Sequence, residues 1–183
     1  MKRLKTLALF ASFFAILVAS CGKSDTTSKT IIKCVTCANG GLCVHDTCQC
    51  PAGYEGITCE TLAYQKFTGN WNVTEKGSIS PTTQFYNIEI SSPGTSSSSL
   101  VLFNLDNNAL QLACTISGDS IYIPQQTTIN NKSYVGVGYI YTDATHGPNG
   151  AITMRYKVTD ETNNTTNDFG YISAADNPSQ WTK

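Results

Sequence analysis

Charge is scarce and nearly balanced in this 183-residue chain: 14% of its residues are charged, 12 basic against 13 acidic. A protein that tracks phosphates would carry a basic excess, so nucleic acid is excluded as a partner. Histidine and methionine occur only twice each. With two histidines, no glycine-rich phosphate loop and no carboxylate pair at a useful spacing, the sequence assembles no catalytic set and calls for no cofactor or metal. It reads as a non-enzyme. No apolar run reaches the roughly 18 to 20 residues that span a bilayer, which excludes a transmembrane helix. From Tyr64 onward no stretch keeps a helical period over roughly eleven residues, which leaves strands.

Cysteine is the abundance: eight in all, six of them between Cys34 and Cys59. That crowding points to an oxidising, exported setting and away from the cytoplasm. The chain begins with Lys2, Arg3 and Lys5 and the twelve-residue apolar stretch Leu7 to Val18, the pattern of a secretory signal over residues 1–20. Val18-Ala19-Ser20-Cys21 resembles a bacterial lipobox, which implies cleavage before Cys21 and acylation of its thiol. Each buried methylene adds about 0.8 kcal/mol, so two or three acyl chains hold a protein to a membrane without a span. Cleavage leaves nine basic and thirteen acidic residues, a formal net charge of −4. Residues 21–33 are small and polar at first and read as a flexible tether. Lys23 and Asp25 resemble the short export tags of Gram-negative surface lipoproteins, implying an outer-membrane anchor with outward display.

Residues 34–60 carry six cysteines as C-x2-C-x5-C-x4-C-x-C-x8-C, with Asn39-Gly40-Gly41, Pro51 and Gly53-Tyr54-Glu55-Gly56 between them. So short a segment cannot bury enough apolar surface to offset its conformational entropy and needs covalent staples. Six cysteines allow fifteen pairings. Zinc is the rival reading, but Cys48 and Cys50 stand one residue apart, a poor fit to ligand spacings. The segment resembles an epidermal-growth-factor-like (EGF-like) module. That resemblance implies the pairs Cys34–Cys43, Cys37–Cys48 and Cys50–Cys59. The four-residue gap Val44 to Thr47 resembles tenascin-like repeats and lacks the long receptor-contacting loop of growth factors. Ile31, Ile32 and Lys33 stand where calcium-binding members place oxygen ligands, so no calcium site is expected. His45 reads as a solvated hairpin residue.

Residues 64–183 alternate apolar and polar positions in short runs separated by Gly, Asn, Asp, Ser and Pro. Strands are expected at Trp71 to Thr74, Tyr86 to Ile90, Leu100 to Leu105, Leu110 to Ile116, Ile121 to Ile123, Val135 to Tyr141, Ile152 to Val158 and around Phe169 to Ile172. In the sixth, Val135, Val137, Tyr139 and Tyr141 form the apolar face. The clusters Ser91 to Ser99 and Asp160 to Asp168 are polar enough to be hairpin tips. The expected fold is thus mainly β: a small disulfide-stapled module followed by an antiparallel barrel or sandwich of about eight strands.

Gly69-Asn70-Trp71 at the head of the first strand resembles the Gly-x-Trp signature of lipocalin-type barrels, in which the tryptophan plugs one end. Lipocalins add a Thr-Asp-Tyr turn and a late arginine over that tryptophan. Here Tyr141-Thr142-Asp143-Ala144 replaces the turn, and the only base after Trp181 is Lys183. An eight-stranded barrel is filled by side chains or holds one small ligand. Trp71, Tyr139 and Tyr156 are the candidate ligand contacts. Gly118-Asp119-Ser120 with Asp143-Ala144-Thr145-His146 echoes GDSL-type hydrolases, but Ser120 runs into a strand, which the α/β nucleophile turn forbids. Cys114 alternates inward and reads as a buried thiol.

These features imply a lipid-anchored, non-enzymatic binding or adhesion protein with a protein or glycan partner at the cell surface, the small module serving as spacer or contact surface. Two alternatives remain: a carrier of a small apolar ligand inside the barrel, and an envelope protein without a ligand.

Overall fold

The computed structural model describes residues 36–94, 97–147, 150–173 and 177–183. The signal segment, Cys21, the tether and Cys34 lie outside the described residues. Two strands, β1 (Leu42–Val44) and β2 (Thr47–Gln49), pair antiparallel across His45 and Asp46, which are both left-handed (φ 49° and 60°). Such two-residue turns match the twist of the strands they join. A second hairpin pairs β3 (Tyr54–Glu55) with β4 (Thr61–Leu62). Disulfides join Cys37 to Cys48 and Cys50 to Cys59, with Cα atoms 5.7 and 5.2 Å apart. Cys43 is disulfide-bonded too, and its expected partner, Cys34, is not among the described residues. Of residues 36–60 only Cys59 is buried.

A short 3-10 turn (Ala63–Lys66) leads from β4 into a closed barrel. Its strands are β5 (Gly69–Glu75), β6 (Gln84–Ser91), β7 (Ser99–Phe103), β8 (Gln111–Ser117), β9 (Ser120–Thr127), β10 (Lys132–Tyr141), β11 (Ala151–Asp160) and, after an outlying β12 (Thr165–Phe169), β13 (Ser179–Thr182). Neighbours in this order pair antiparallel from β5 to β11; β11 then pairs with β13, and β13 with β5, which closes a ring of eight strands. Closure removes the sheet edges that would otherwise template aggregation. The alternation is regular where one face meets the lumen. Trp71, Val73 and Glu75 point inward from β5, Leu112, Cys114 and Ile116 from β8, and Ile152, Met154, Tyr156 and Val158 from β11.

The structure differs from the sequence reading in three places. On β10 the alternating buried positions are Tyr134, Gly136, Gly138 and Ile140, with Ser133 buried beside them, while Val137 and Tyr139 face out. The lumen at this strand is filled from next door. A Cβ on Gly136 would lie 2.5 Å from the Tyr156 Cβ, and one on Gly138 would lie 2.6 Å from the Met154 Cε. Glycine is required there by space, and the apolar residues that alternate with it are left outside. The eighth ring strand is β13, whose Ser179 and Trp181 are both fully buried, and not the segment around Phe169–Ile172. One apolar residue in a four-residue strand gives no periodic signal. Finally, Thr165 to Asp168 of the expected hairpin tip, together with Phe169, form β12, which pairs with Lys157 to Asp160 of β11. It lies outside the ring, yet its Asp168 and Phe169 are buried, and the Thr159 and Thr166 hydroxyls pair across the strands at 2.9 Å.

Module and barrel belong to one compact unit. The Ala63 N–H donates to Gly53 O at 2.9 Å. Lys66 reaches Glu55 Oε2 of the module at 2.6 Å and Asp119 Oδ1 of the β8–β9 turn at 2.7 Å. Burial works against this ammonium, but the two carboxylates outweigh it and hold its pKa above the usual lysine value.

Candidate functional sites at the two ends of the barrel

Beside the module the barrel is closed. Trp71 is wholly buried and its indole N–H donates to Phe67 O at 2.7 Å, satisfying the one polar atom on an otherwise apolar plug. Lys183 lays its ammonium 4.4 Å from the Trp71 ring centroid and donates to Thr68 O at 2.8 Å. A cation over an indole face is attractive. Burial lowers the Lys183 pKa from the usual value.

The lumen is occupied by the chain's own side chains. Trp71, Trp181, Tyr134, Tyr156 and Phe169 are among the largest fully buried groups, and the Tyr156 and Phe169 rings stack at 4.3 Å. Toward the far end, Glu75 brings a carboxylate into this core. It accepts from Tyr86 at 2.6 Å, from Tyr156 at 2.9 Å to each oxygen, and from Ser179 at 2.6 Å; Ser179 in turn accepts from the Trp181 indole N–H at 2.8 Å. Burial raises the Glu75 pKa, against the pull of these hydrogen bonds. Both tyrosines are pushed upward by burial first and then by charge, Glu75 among its sources, so they remain donors. The network pairs the polar groups of Glu75, Tyr86, Tyr156, Ser179 and Trp181 with one another.

At the barrel mouth, the β7–β8 connection runs through Asn104, Asp106, Asn107 and Ala109 at φ 72°, 56°, 51° and 50°, four left-handed residues in six, none of them glycine. Such backbone costs on the order of 1 kcal/mol per residue and is held by its surroundings. The Asn104 side chain bonds Asn87 O and the Ala109 N–H, and the Asp106 N–H donates to the Tyr86 hydroxyl at 2.9 Å. Lys132, opening β10, pairs with Asp106 at 3.3 Å. A cavity of about 230 Å³ lies here, lined in part by Ile79, Asp106, Lys132, Val158 and Asn167.

On the outside, Tyr122 and Val137 are cross-strand neighbours and Tyr139 follows two residues on, at 41%, 37% and 53% exposure. Beside Tyr139 is a half-open pocket of about 420 Å³ whose walls include Gln65, Lys66, Asp119, Tyr141, Thr142 and Lys183. Of the three candidate ligand contacts, then, Trp71 and Tyr156 are core residues some distance apart along the lumen, and Tyr139 stands on the exterior. They do not share a site. Ser120 opens β9, while His146 lies in the β10–β11 loop with its Nδ1 2.8 Å from Asp143 Oδ1. Cys114 is a free, buried thiol whose pKa burial pushes up to about 12.

The exterior pocket and the mouth cluster had no signal in the sequence. Gln65, Asp119, Tyr139 and Lys183 come together only on barrel closure, and Asp106 and Lys132 are 26 residues apart. Among the described residues no group of three or more His, Cys, Asp or Glu is placed to hold a metal, and no helix is long and apolar enough to cross a membrane. No protein-family model matches the chain, and no curated protein matches it significantly in sequence.

Proposed function

We propose that this protein is a lipid-anchored, non-enzymatic surface lipoprotein of the Gram-negative outer membrane, in which an EGF-like module positions a lipocalin-like barrel that binds a partner on its outer face. The observation that carries the binding surface is the reversal of β10: the lumen is packed with Trp71, Tyr134, Tyr156, Phe169 and Trp181, while Tyr139 is turned outward beside the 420 Å³ pocket. A filled lumen weighs against the carrier alternative. An exposed tyrosine face flanked by an amide (Gln65), a carboxylate (Asp119) and a hydroxyl (Thr142) suits a saccharide, whose ring stacks on the aromatic and whose hydroxyls need paired donors and acceptors. The anchor rests on Cys21 and the residues before it, and outward display on Lys23 and Asp25.

The test is glycan-array and calorimetric binding with the wild-type protein and Tyr139→Ala. Binding of a saccharide that weakens about tenfold or more in the variant supports the reading. Saccharide binding that Tyr139→Ala leaves unchanged, or co-purified apolar ligand seen by native mass spectrometry, overturns it. Acyl mass on Cys21 and protease accessibility on intact cells test anchoring and display.

A further inference from the structure

The mouth cluster contains a lysine, an asparagine and a carboxyl group in mutual contact. Lys132 Nζ lies 3.3 Å from Asp106 Oδ2 and 3.4 Å from Asn108 Oδ1. The Asn108 side-chain amide donates to the same Asp106 oxygen at 2.7 Å and to the Asp106 carbonyl at 2.9 Å. One carboxylate oxygen therefore touches both the amine and the amide nitrogen. The backbone that presents Asp106 and Asn108 is the left-handed run described above, in which even Ala109 adopts φ 50°, its N–H donating to Asn104 Oδ1. Strain of this kind persists where the surroundings impose it, and it gathers at reacting and ligand-holding sites. An ordinary surface ion pair needs neither the strained run nor the amide.

We propose that Lys132 and Asn108 join in an intramolecular isopeptide bond, with Asp106 carrying the proton. The reaction balances without an outside reagent. Asp106 takes a proton from the Lys132 ammonium, and the freed amine attacks Cγ of Asn108 after a turn of the amide brings its face, rather than its oxygen, to the amine. A C–N bond forms, the bond from Cγ to Nδ2 breaks, and Asp106 returns the proton to the departing nitrogen. The attacking nitrogen releases its second proton to solvent, and the departing ammonia is protonated there to ammonium; no electron is transferred to or from the protein. Burial raises the Asp106 carboxyl, with Lys132 pulling the other way. Tyr134, at 1% exposure, belongs to the core behind the cluster, while the open side of the cavity gives ammonia an exit. The bond would tie the β7–β8 connection to the start of β10 across the mouth. It is independent of what the exterior pocket binds.

The test is mass spectrometry of the purified full chain, reduced, denatured and digested with trypsin. Residues 77–132 contain no internal lysine or arginine, so ordinary cleavage after Lys132 releases that peptide at its encoded mass. The cross-linked chain resists cleavage there and yields residues 77–155 as one looped peptide, lighter than encoded by one ammonia. Asn108→Ala and Asp106→Ala are each expected to restore cleavage and encoded mass, the second while keeping both reacting groups. Asn108→Asp is expected to lose one water instead. Wild-type protein at encoded mass with complete cleavage after Lys132 overturns the proposal, as does simple deamidation of Asn108. A cross-link surviving in Asp106→Ala removes Asp106 from its role. The wild-type mass decides the main point whether or not a variant folds.

Discussion

The cysteine-rich module and the barrel are neighbours held together by different physics. In the module, Cys59 is the only buried residue between 36 and 60, and its shape depends on bonds between cysteines. In the barrel, a continuous core runs from Phe67 through Tyr156 to Trp181 around one free thiol. Disulfides act chiefly by restricting the unfolded chain, so their effect is lost in a reducing medium, whereas burial of apolar surface is indifferent to redox state. The two regions should therefore fail under different conditions.

The largest separation is expected on reduction. Loops spanned by separations of 11 and 9 residues contribute about 2.5 kcal/mol each in the loop-entropy picture, enough to unfold a module that lacks a core. Dithiothreitol should collapse amide exchange protection over residues 36–60 while protection in β5–β11 persists; joint loss would show that the barrel depends on the staples. In the other direction, Tyr156→Ala removes a fully buried ring stacked on Phe169 and the hydroxyl that donates to the Glu75 carboxylate. It should cost the barrel about 3 to 5 kcal/mol by urea unfolding and leave the module's disulfides intact by mass.

A smaller effect tests the polar part of the barrel core. Glu75 has a folded-state pKa raised above the ordinary 4.5, chiefly by burial, so the folded chain holds that proton more tightly than the unfolded one. Its contribution is full below pH 4.5 and is lost as pH rises through the raised value. Glu75→Gln should flatten this decline in urea titrations from pH 4 to 8. Asp106, raised in the same direction, leaves some slope in the variant. An unchanged slope would assign the decline to other groups. The smallest change is expected at the junction: Lys66→Ala cuts both ion pairs to Glu55 and Asp119, yet partly exposed pairs contribute under about 1 kcal/mol. Barrel stability should barely move, while exchange at Ala63, bonded to Gly53, should quicken.

What could be read from the residues follows the same division. Alternation located seven of the eight ring strands, because each has at least two apolar positions spaced by two. It could not set the phase of β10, where apolar and small residues alternate and the neighbouring strand decides which set fits inside. Nor could it find β13, whose inward pair is a serine and a tryptophan. The candidate contacts inherited these limits: Trp71 and Tyr156 are buried in the core, while Tyr139 belongs to the outer face. The Lys132, Asp106 and Asn108 cluster depends on a loop conformation that side-chain pattern does not encode.

Gly136 and Gly138 carry a lesson for anyone surveying the chain by saturation mutagenesis. Both positions should tolerate almost nothing, a profile usually taken as the mark of a reacting or ligand-holding residue. Their intolerance belongs to neighbouring strands: at Gly136 the Tyr156 Cβ and the Arg155 carbonyl, and at Gly138 the branched Ile121 more than the flexible Met154 methyl, already occupy the volume a larger replacement would claim.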